Sequence, residues 1–332
     1  MRKIILVLFA LVLLMFVSLI YISVDSDGVL DRKFRCMAGQ DGFCYELGEF
    51  YLNQDMNQSM KYFEKACELK NSLACNHLGY VYQIGANGKV DLEKSKEYYQ
   101  KGCENGLILA CNNLGFIYET EDNNTVSALK YYEISCENNN TFACNKVGTF
   151  YQAGVGADQN FTKAGAAFKK ACENGDLVAC NNLAAYYQNG LGVEKNEAVA
   201  AELYTIACNA GNFTSCNNLA FFLQNGIAVD QNLTLAIQLY DLACANNESF
   251  ACLNLGFLAQ NGAGLEQNIE LALNLYNKSC QLGNETGCQM LNNLVAAINQ
   301  AQQQIEREQQ AQEKTAKQEE LKEKTENNAT KE

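Results

Sequence analysis

A cysteine pair of fixed internal spacing recurs along this chain of 332 residues and restricts its fold more than any other feature. The pairs are Cys36 and Cys44, Cys67 and Cys75, Cys103 and Cys111, Cys136 and Cys144, Cys172 and Cys180, Cys208 and Cys216, Cys244 and Cys252, and Cys280 and Cys288. Partners are always eight positions apart, and successive pairs begin 31, 36, 33, 36, 36, 36 and 36 residues apart. A period of this size marks a stack of small units, none of which covers its own apolar face alone.

The rest of the sequence repeats in phase. Four residues before each first cysteine from Cys67 onward stands an aromatic: Phe63, Tyr99, Tyr132, Phe168, Tyr204, Tyr240 and Tyr276. Eight residues before it stands Ser59, Ser95, Ala128, Ala164, Ala200, Ala236 or Ala272. Steps of four put these residues on one face of a helix, here called B. Three residues after the cysteine come Gly106, Asn139, Gly175, Gly211, Asn247 and Gly283, types that accept the left-handed backbone ending a helix; only Lys70 departs. A second helix, A, carries the second cysteine. Four residues past it lies Gly48, Gly79, Gly115, Gly148, Ala184, Ala220 or Gly256, small enough to admit a close neighbour. Hydrophobic residues make up 48% of the chain, enough for a core, and the absence of proline lets helices run unbroken.

The loops say which cysteines pair. From Cys44 to Cys67 the spacing is 23, from Cys75 to Cys103 it is 28, and from Cys111 to Cys136 it is 25, whereas the spacing of eight never changes. A covalent link across the invariant loop, tying each B helix to the next A helix, is the simplest cause. Each such link contributes roughly 2.5 kcal/mol in the chain-entropy picture. Evenly spread pairs beside a single histidine do not converge on one ion, so no metal site and no cofactor are expected. Disulfides on this scale belong to an exported chain.

The first segment agrees. Arg2 and Lys3 precede an apolar run from Ile4 to Val24, ended by Asp25. At about 1.5 Å per residue it matches the roughly 30 Å of a bilayer core. Residues 1–25 therefore read as a signal anchor in the inner membrane through residues 4–24, or as a cleaved signal peptide, with the remainder in the periplasm or secreted. Residues 26–43 read as an N-terminal cap, 44–295 as the repeats, and 296–332 as a Gln-, Glu- and Lys-rich tail, helical to disordered. A net charge of −13 repels phosphate backbones, so nucleic acid is not an expected partner.

Stretches such as NNLGFIYE and NHLGYVYQIGANGKVDLEKSKEYYQKGC resemble the Sel-one-like repeat, a relative of the tetratricopeptide repeat. With a C-x7-C in every unit the likeness narrows to the Helicobacter cysteine-rich protein family and covers about residues 33–295. It implies an all-α fold: a right-handed α/α superhelical solenoid of about seven disulfide-linked helix–turn–helix repeats plus end caps. It also implies a protein- or peptide-binding scaffold, or, as an alternative, penicillin binding or weak β-lactamase-like hydrolysis.

The residues favour the scaffold. Ser127 and Lys130 match S-x-x-K, but Ala128 between them is the repeated core residue, and no S-D-N or K-T-G occurs. No catalytic residue is assigned. His77, the sole histidine, is expected to be a solvated surface residue, with ordinary polar residues (Asn113, Lys146, Asn182, Asn218) at its place in other units. Directly after the second cysteine come Asn76, Asn112, Asn145, Asn181 and Asn217, and unit seven breaks the series with Leu253. Asn112, Asn145, Asn181 and Asn217 form a candidate amide ladder for a peptide backbone on the concave face, since an amide both donates and accepts. Asparagine near a helix start also serves simply as a cap. Six sequons with an acidic residue two places earlier, at Asn57, Asn123, Asn139, Asn160, Asn232 and Asn328, resemble the extended acceptor of bacterial oligosaccharyl transfer. The first prediction concerns the thiols. Alkylation of the envelope protein in denaturant without reductant is expected to label none of the sixteen cysteines, and mass spectrometry showing most of them labelled would overturn the pairing.

Overall fold

Side-chain caps decide where the helices begin. Asp55, Asp91, Asn124, Asn160, Asn196, Asn232 and Asn268 each accept the backbone N–H three residues on and start the B helices. Asn71, Asn140, Asp176, Asn212, Glu248 and Asn284 do the same for A helices. The computed structural model describes residues 28–329, so the apolar run at 4–24 lies outside the described residues. Among the described residues there are sixteen helices and no strand. After α1 (Val29–Met37) come seven A/B pairs: α2 (Asp41–Tyr51) with α3 (Met56–Glu68), α4 (Ser72–Ile84) with α5 (Leu92–Glu104), α6 (Ile108–Thr120) with α7 (Thr125–Glu137), α8 (Thr141–Ala153) with α9 (Phe161–Glu173), α10 (Leu177–Asn189) with α11 (Glu197–Asn209), α12 (Phe213–Asn225) with α13 (Leu233–Ala245), and α14 (Ser249–Asn261) with α15 (Ile269–Gln281). The last helix, α16, spans Glu285–Ala329. No described helix is long and apolar enough to cross a membrane. The chain divides into two compact units, Met1–Ala179 with Leu191–Val193 and Cys180–Gly190 with Glu194–Glu332.

In the first unit the core is a series of aromatic rings seated on glycines. A methyl group added at Gly48 would lie 2.5 Å from Phe63, at Gly79 2.6 Å from Tyr99, at Gly115 3.0 Å from Tyr132, and at Gly148 2.5 Å from Phe168. These rings are fully buried, and each contributes on the order of 1.5–3 kcal/mol by leaving water. The small residue one turn earlier is buried too. Where it is serine its hydroxyl is satisfied: Ser59 donates to the Gly48 carbonyl at 2.7 Å and Ser95 to the Gly79 carbonyl at 2.7 Å. The second unit repeats the seat with Gly256 beneath Tyr276, where an added methyl would lie 2.8 Å from the ring. Ala184 and Ala220 stand at the equivalent places, both buried with Tyr204 and Tyr240.

The disulfides follow the invariant loop. Cys36–Cys44, Cys67–Cys75, Cys103–Cys111, Cys136–Cys144, Cys208–Cys216, Cys244–Cys252 and Cys280–Cys288 have Cα–Cα separations of 4.5–4.8 Å, inside the range an unstrained bridge needs. Cys172 and Cys180 are disulfide-bonded as well, and no described cysteine is free. Bridges in this number persist in an oxidising, non-cytoplasmic compartment.

The second residue after each B helix takes the expected left-handed backbone, with φ 90° at Gly106, 91° at Gly175, 97° at Gly211 and 86° at Gly283. Lys70 departs from the residue pattern but not from the geometry: its φ is 68°. For a residue with a Cβ that conformation costs about 1–2 kcal/mol, which a glycine avoids while losing part of the gain to its freer unfolded chain. Lys70→Gly is therefore expected to stabilise the protein by about 1 kcal/mol in urea denaturation; a lowered midpoint would show that the lysine side chain outweighs the strain.

Candidate functional site

One face of the A helices is left uncovered by the core. Counting from the second cysteine, positions −2, +1 and +5 are three and four residues apart and share that face. In the first unit it presents Leu73, Leu109 and Phe142 at −2 and Tyr80 and Phe116 at +5. In the second it presents Phe250 at −2 and Phe221 and Phe257 at +5. All eight are between 41% and 55% exposed. Scattered apolar residues on a surface are ordinary, but recurrence at one register position is a built feature.

The amides at +1 lie between these side chains, and the structure separates them into two kinds. Asn181 Oδ1 accepts from Asn218 Nδ2 at 2.9 Å and from Ser215 Oγ at 3.1 Å. Asn217 is buried, accepts from Asn254 Nδ2 at 2.9 Å and donates to Asn218 Oδ1 at 3.3 Å. Asn76 Oδ1 likewise accepts from Asn113 Nδ2 at 2.9 Å. These amides tie one A helix to the next. Asn112 and Asn145 differ: their Oδ1 atoms are shielded from water and have no hydrogen-bond partner. In the next A helix after Asn112 the donor position holds Lys146, which pairs with Glu119 at 2.7 Å instead.

Position +2 is therefore not the ordinary polar surface that its residue types suggest. Asn113, Asn218 and Asn254 are donors to the preceding A helix. Their recurrence two residues past the cysteine was the available signal. His77, at the same position, is not solvated surface either. It is half-buried, stacks on Phe63 with ring centroids 4.5 Å apart, and brings Nδ1 to 3.6 Å from Glu49. A neighbouring aromatic core ring, rather than water, takes one face of the imidazole.

Position +8 carries a role that sequence spacing did not reveal. Gln83, Glu119, Gln188, Gln224 and Gln260 accept the hydroxyls of Tyr99, Tyr132, Tyr204, Tyr240 and Tyr276 at 2.6–2.9 Å. Burial raises these phenols, Tyr204 to about 12. Burial and then the Glu119 carboxylate raise Tyr132. At neutral pH they are hydrogen-bond donors and not bases.

Around Tyr151 the arrangement looks more reactive. Lys163 Nζ donates to the Tyr151 hydroxyl at 2.9 Å, which donates to Glu133 Oε1 at 2.5 Å. These line a concavity of about 260 Å³ with Cys136, Glu137, Val147, Ala166, Ala167 and Lys170, a set with no serine or threonine and with its cysteine in a disulfide. The S-x-x-K match is a helix start: Ser127 N–H is capped by Asn124 at 3.1 Å, and Lys130 Nζ sits 5.2 Å from the Tyr131 ring centroid. Of the sequon asparagines, Asn57, Asn123, Asn139, Asn160 and Asn232 are exposed. Asn160 and Asn232 cap helices through Oδ1. The side chain of Asn328 lies outside the described residues.

The model of the Sel1 repeat matches residues 37–71, 72–107, 108–140, 141–176, 177–212, 214–248 and 249–284. The chain belongs to the Sel1 repeat family. Its bridges Cys67–Cys75, Cys103–Cys111, Cys136–Cys144, Cys208–Cys216 and Cys244–Cys252 all cross from one Sel1 repeat to the next. A protective antigen of uropathogenic Escherichia coli displaying an SLR fold is similar at 27% identity and TM-score 0.67, over 80% of this chain and 59% of that one, so this chain spans about three fifths of the antigen's length. A Sel1 repeat protein from Oxalobacter formigenes is similar at 21% identity and TM-score 0.62, over 81% and 80% of the two chains, which shows the fold alone. Helicobacter pylori cysteine rich protein B matches at 30% identity over 40% of this chain and 96% of its own, with TM-score 0.34. Comparison with curated protein sequences returns no significant match.

The two kinds of amide predict different responses. Asn217→Ala strands Asn254 and Asn218 without their partner and is expected to cost about 1–3 kcal/mol. Asn145→Ala removes no observed hydrogen bond and is expected to change stability by less than about 0.5 kcal/mol. Urea denaturation of the two variants measures both, and equal losses would contradict the distinction.

Proposed function

We propose that this chain is an exported, periplasmic Sel1-repeat scaffold, anchored in the inner membrane through residues 4–24 or released by their removal, that binds a protein or peptide on the exposed face of its A helices. The observation that carries the reading is the recurrence of exposed apolar residues at −2 and +5 of the A helices, with Asn112 and Asn145 set between them. Leu109, Asn112 and Phe116 form one such group, and Phe142 with Asn145 begins the next. Apolar side chains on both sides supply contact area and exclude water from the polar groups between them. Of the four ladder amides, this reading gives the peptide contact first to Asn112 and Asn145, because Asn181 and Asn217 accept from the next A helix.

Export is supported by the basic pair before the apolar run and by the number of disulfides. The acidic sequons fit the same compartment: the five described ones are exposed, and capping by Asn160 and Asn232 uses Oδ1, leaving Nδ2 for a glycan. β-Lactam binding or hydrolysis rests on the resemblance alone.

A displayed random-peptide library panned on the purified chain tests the binding face. Selected peptides are expected to lose about tenfold or more in affinity with Phe116→Ala and several-fold with Asn112→Ala, in keeping with anchors at the centre of an interface. Peptides that bind both variants as tightly as the parent would remove this face from consideration.

A further inference from the structure

The N-terminal helix α1 is apolar at three register positions that no B helix makes apolar together. Its cysteine, Cys36, stands where each B helix carries its first cysteine. In the B helices, position −2 holds Lys65, Lys101, Lys170 and Lys278 but also Ile134, Ile206 and Leu242; position −6 holds Lys61, Glu97, Lys130, Ala166, Glu202, Gln238 and Asn274; position +1 holds Glu68, Glu104, Glu137, Glu173, Asn209, Ala245 and Gln281. In α1 the same three positions are Phe34, Leu30 and Met37. They are four and seven residues apart, hence on one face. Phe34 is 69% exposed, Met37 77% and Leu30 39%. At −2 the B helices also expose Ile206 (50%) and Leu242 (45%), but neither has a large apolar neighbour at −6 or +1.

We propose that α1 is a membrane-docking element, whose Leu30, Phe34 and Met37 enter the surface of an anionic bilayer while Lys61 and Lys65 beside Met37 hold lipid phosphate. The inference rests on the anchored form of the reading above. Only four residues, Asp25 to Gly28, separate the apolar run from α1. Fully extended, that connection reaches about 18 Å, so a run that spans the bilayer keeps α1 at the headgroups. An interfacial helix buries its apolar face about 5–10 Å into the headgroup and acyl boundary and carries basic residues beside it. In a chain of net charge −13, α1 holds Arg32, Lys33 and Arg35, with Arg32 3.6 Å from Glu46 and Arg35 2.8 Å from Asp31. Met37 also lines a concavity of about 590 Å³ with Lys61, Tyr62 and Lys65, together with Asp55, Asn57 and Gln58. Its lining carries two ammonium groups and one carboxylate, and Glu68 lies 3.7 Å from Lys65, so of the two Lys61 is the freer to hold a phosphodiester. Asn57 shares this concavity, so a glycan there and a lipid headgroup exclude one another.

The chain contains no tryptophan, so a single substitution reports on one place. Full-length Phe34→Trp is reconstituted into phosphatidylethanolamine–phosphatidylglycerol vesicles with brominated acyl chains, beside Val126→Trp, an exposed site two repeats further along the same unit, as the control. Both chains are expected to float with the vesicles. Emission from Phe34→Trp is expected to be largely lost and shifted to the blue, and that from Val126→Trp unchanged. Adding Lys61→Gln and Lys65→Gln to Phe34→Trp is expected to restore part of the emission. Flotation with equal emission from the two single variants overturns the docking and leaves the anchor standing. Unaltered quenching in the lysine variant overturns the phosphate contact. Chains that do not float overturn anchor and docking together, while peptide affinity at Phe116 is measured separately and is unaffected.

Discussion

The bridge between the end of one helix pair and the start of the next is the constraint from which the rest follows. Cys67 and Cys75 are eight positions apart with Cα atoms 4.8 Å apart, and the other bridges described above have Cα atoms 4.5–4.8 Å apart. A single pair of thirteen-residue helices has little apolar surface to bury and marginal stability alone. Fixing the entry of the next A helix brings its glycine and aromatic partners into register, so covalent and packing terms act on the same seam. Variation is confined to the A-to-B turn, where Cys75 to Cys103 takes five more residues than Cys44 to Cys67 without disturbing either neighbour.

Within each pair the seat of an aromatic on a glycine or alanine does the corresponding work. Phe168 on Gly148 and Tyr99 on Gly79 leave no room for a larger side chain, and the phenol of Tyr99 reaches across to Gln83. The core therefore consumes the face of each A helix that looks toward its own B helix. What remains is another face, where −2 and +5 are free to vary without loss of the fold, while +1 in part holds the next A helix. That separation of duties is why an extended apolar face with two unsatisfied carbonyls can coexist with a rigid framework.

Much of this was legible from residues alone. The cysteine period, the rings four residues before it, the small residues four after it and the left-handed stops all appear where spacing put them. The contacts between successive A helices were not legible. Asn113 meets Asn76 across 37 positions, and two adjacent polar residues, +1 and +2, look alike until the stacking of the helices says which one turns toward the neighbour. His77 defeats a sequence reading for the same reason: its stacking partner Phe63 belongs to the preceding B helix, 14 residues earlier, and no local pattern joins them. Lys70 shows the converse. Its backbone obeys the repeat although its side chain does not, because the helix stop is set by the loop length and the bridge around it.

A bridge that spans a seam instead of lying inside a module has a genetic corollary. If 36 residues are excised between matching points of two full-length modules, the upstream first cysteine meets a downstream second cysteine at the old distance, and the ring-on-glycine seats are likewise regenerated. Unequal recombination within such a gene can therefore lengthen or shorten the array by whole modules without ever stranding a thiol. An excision whose ends fall out of register, and which takes one cysteine without its mate, would leave one.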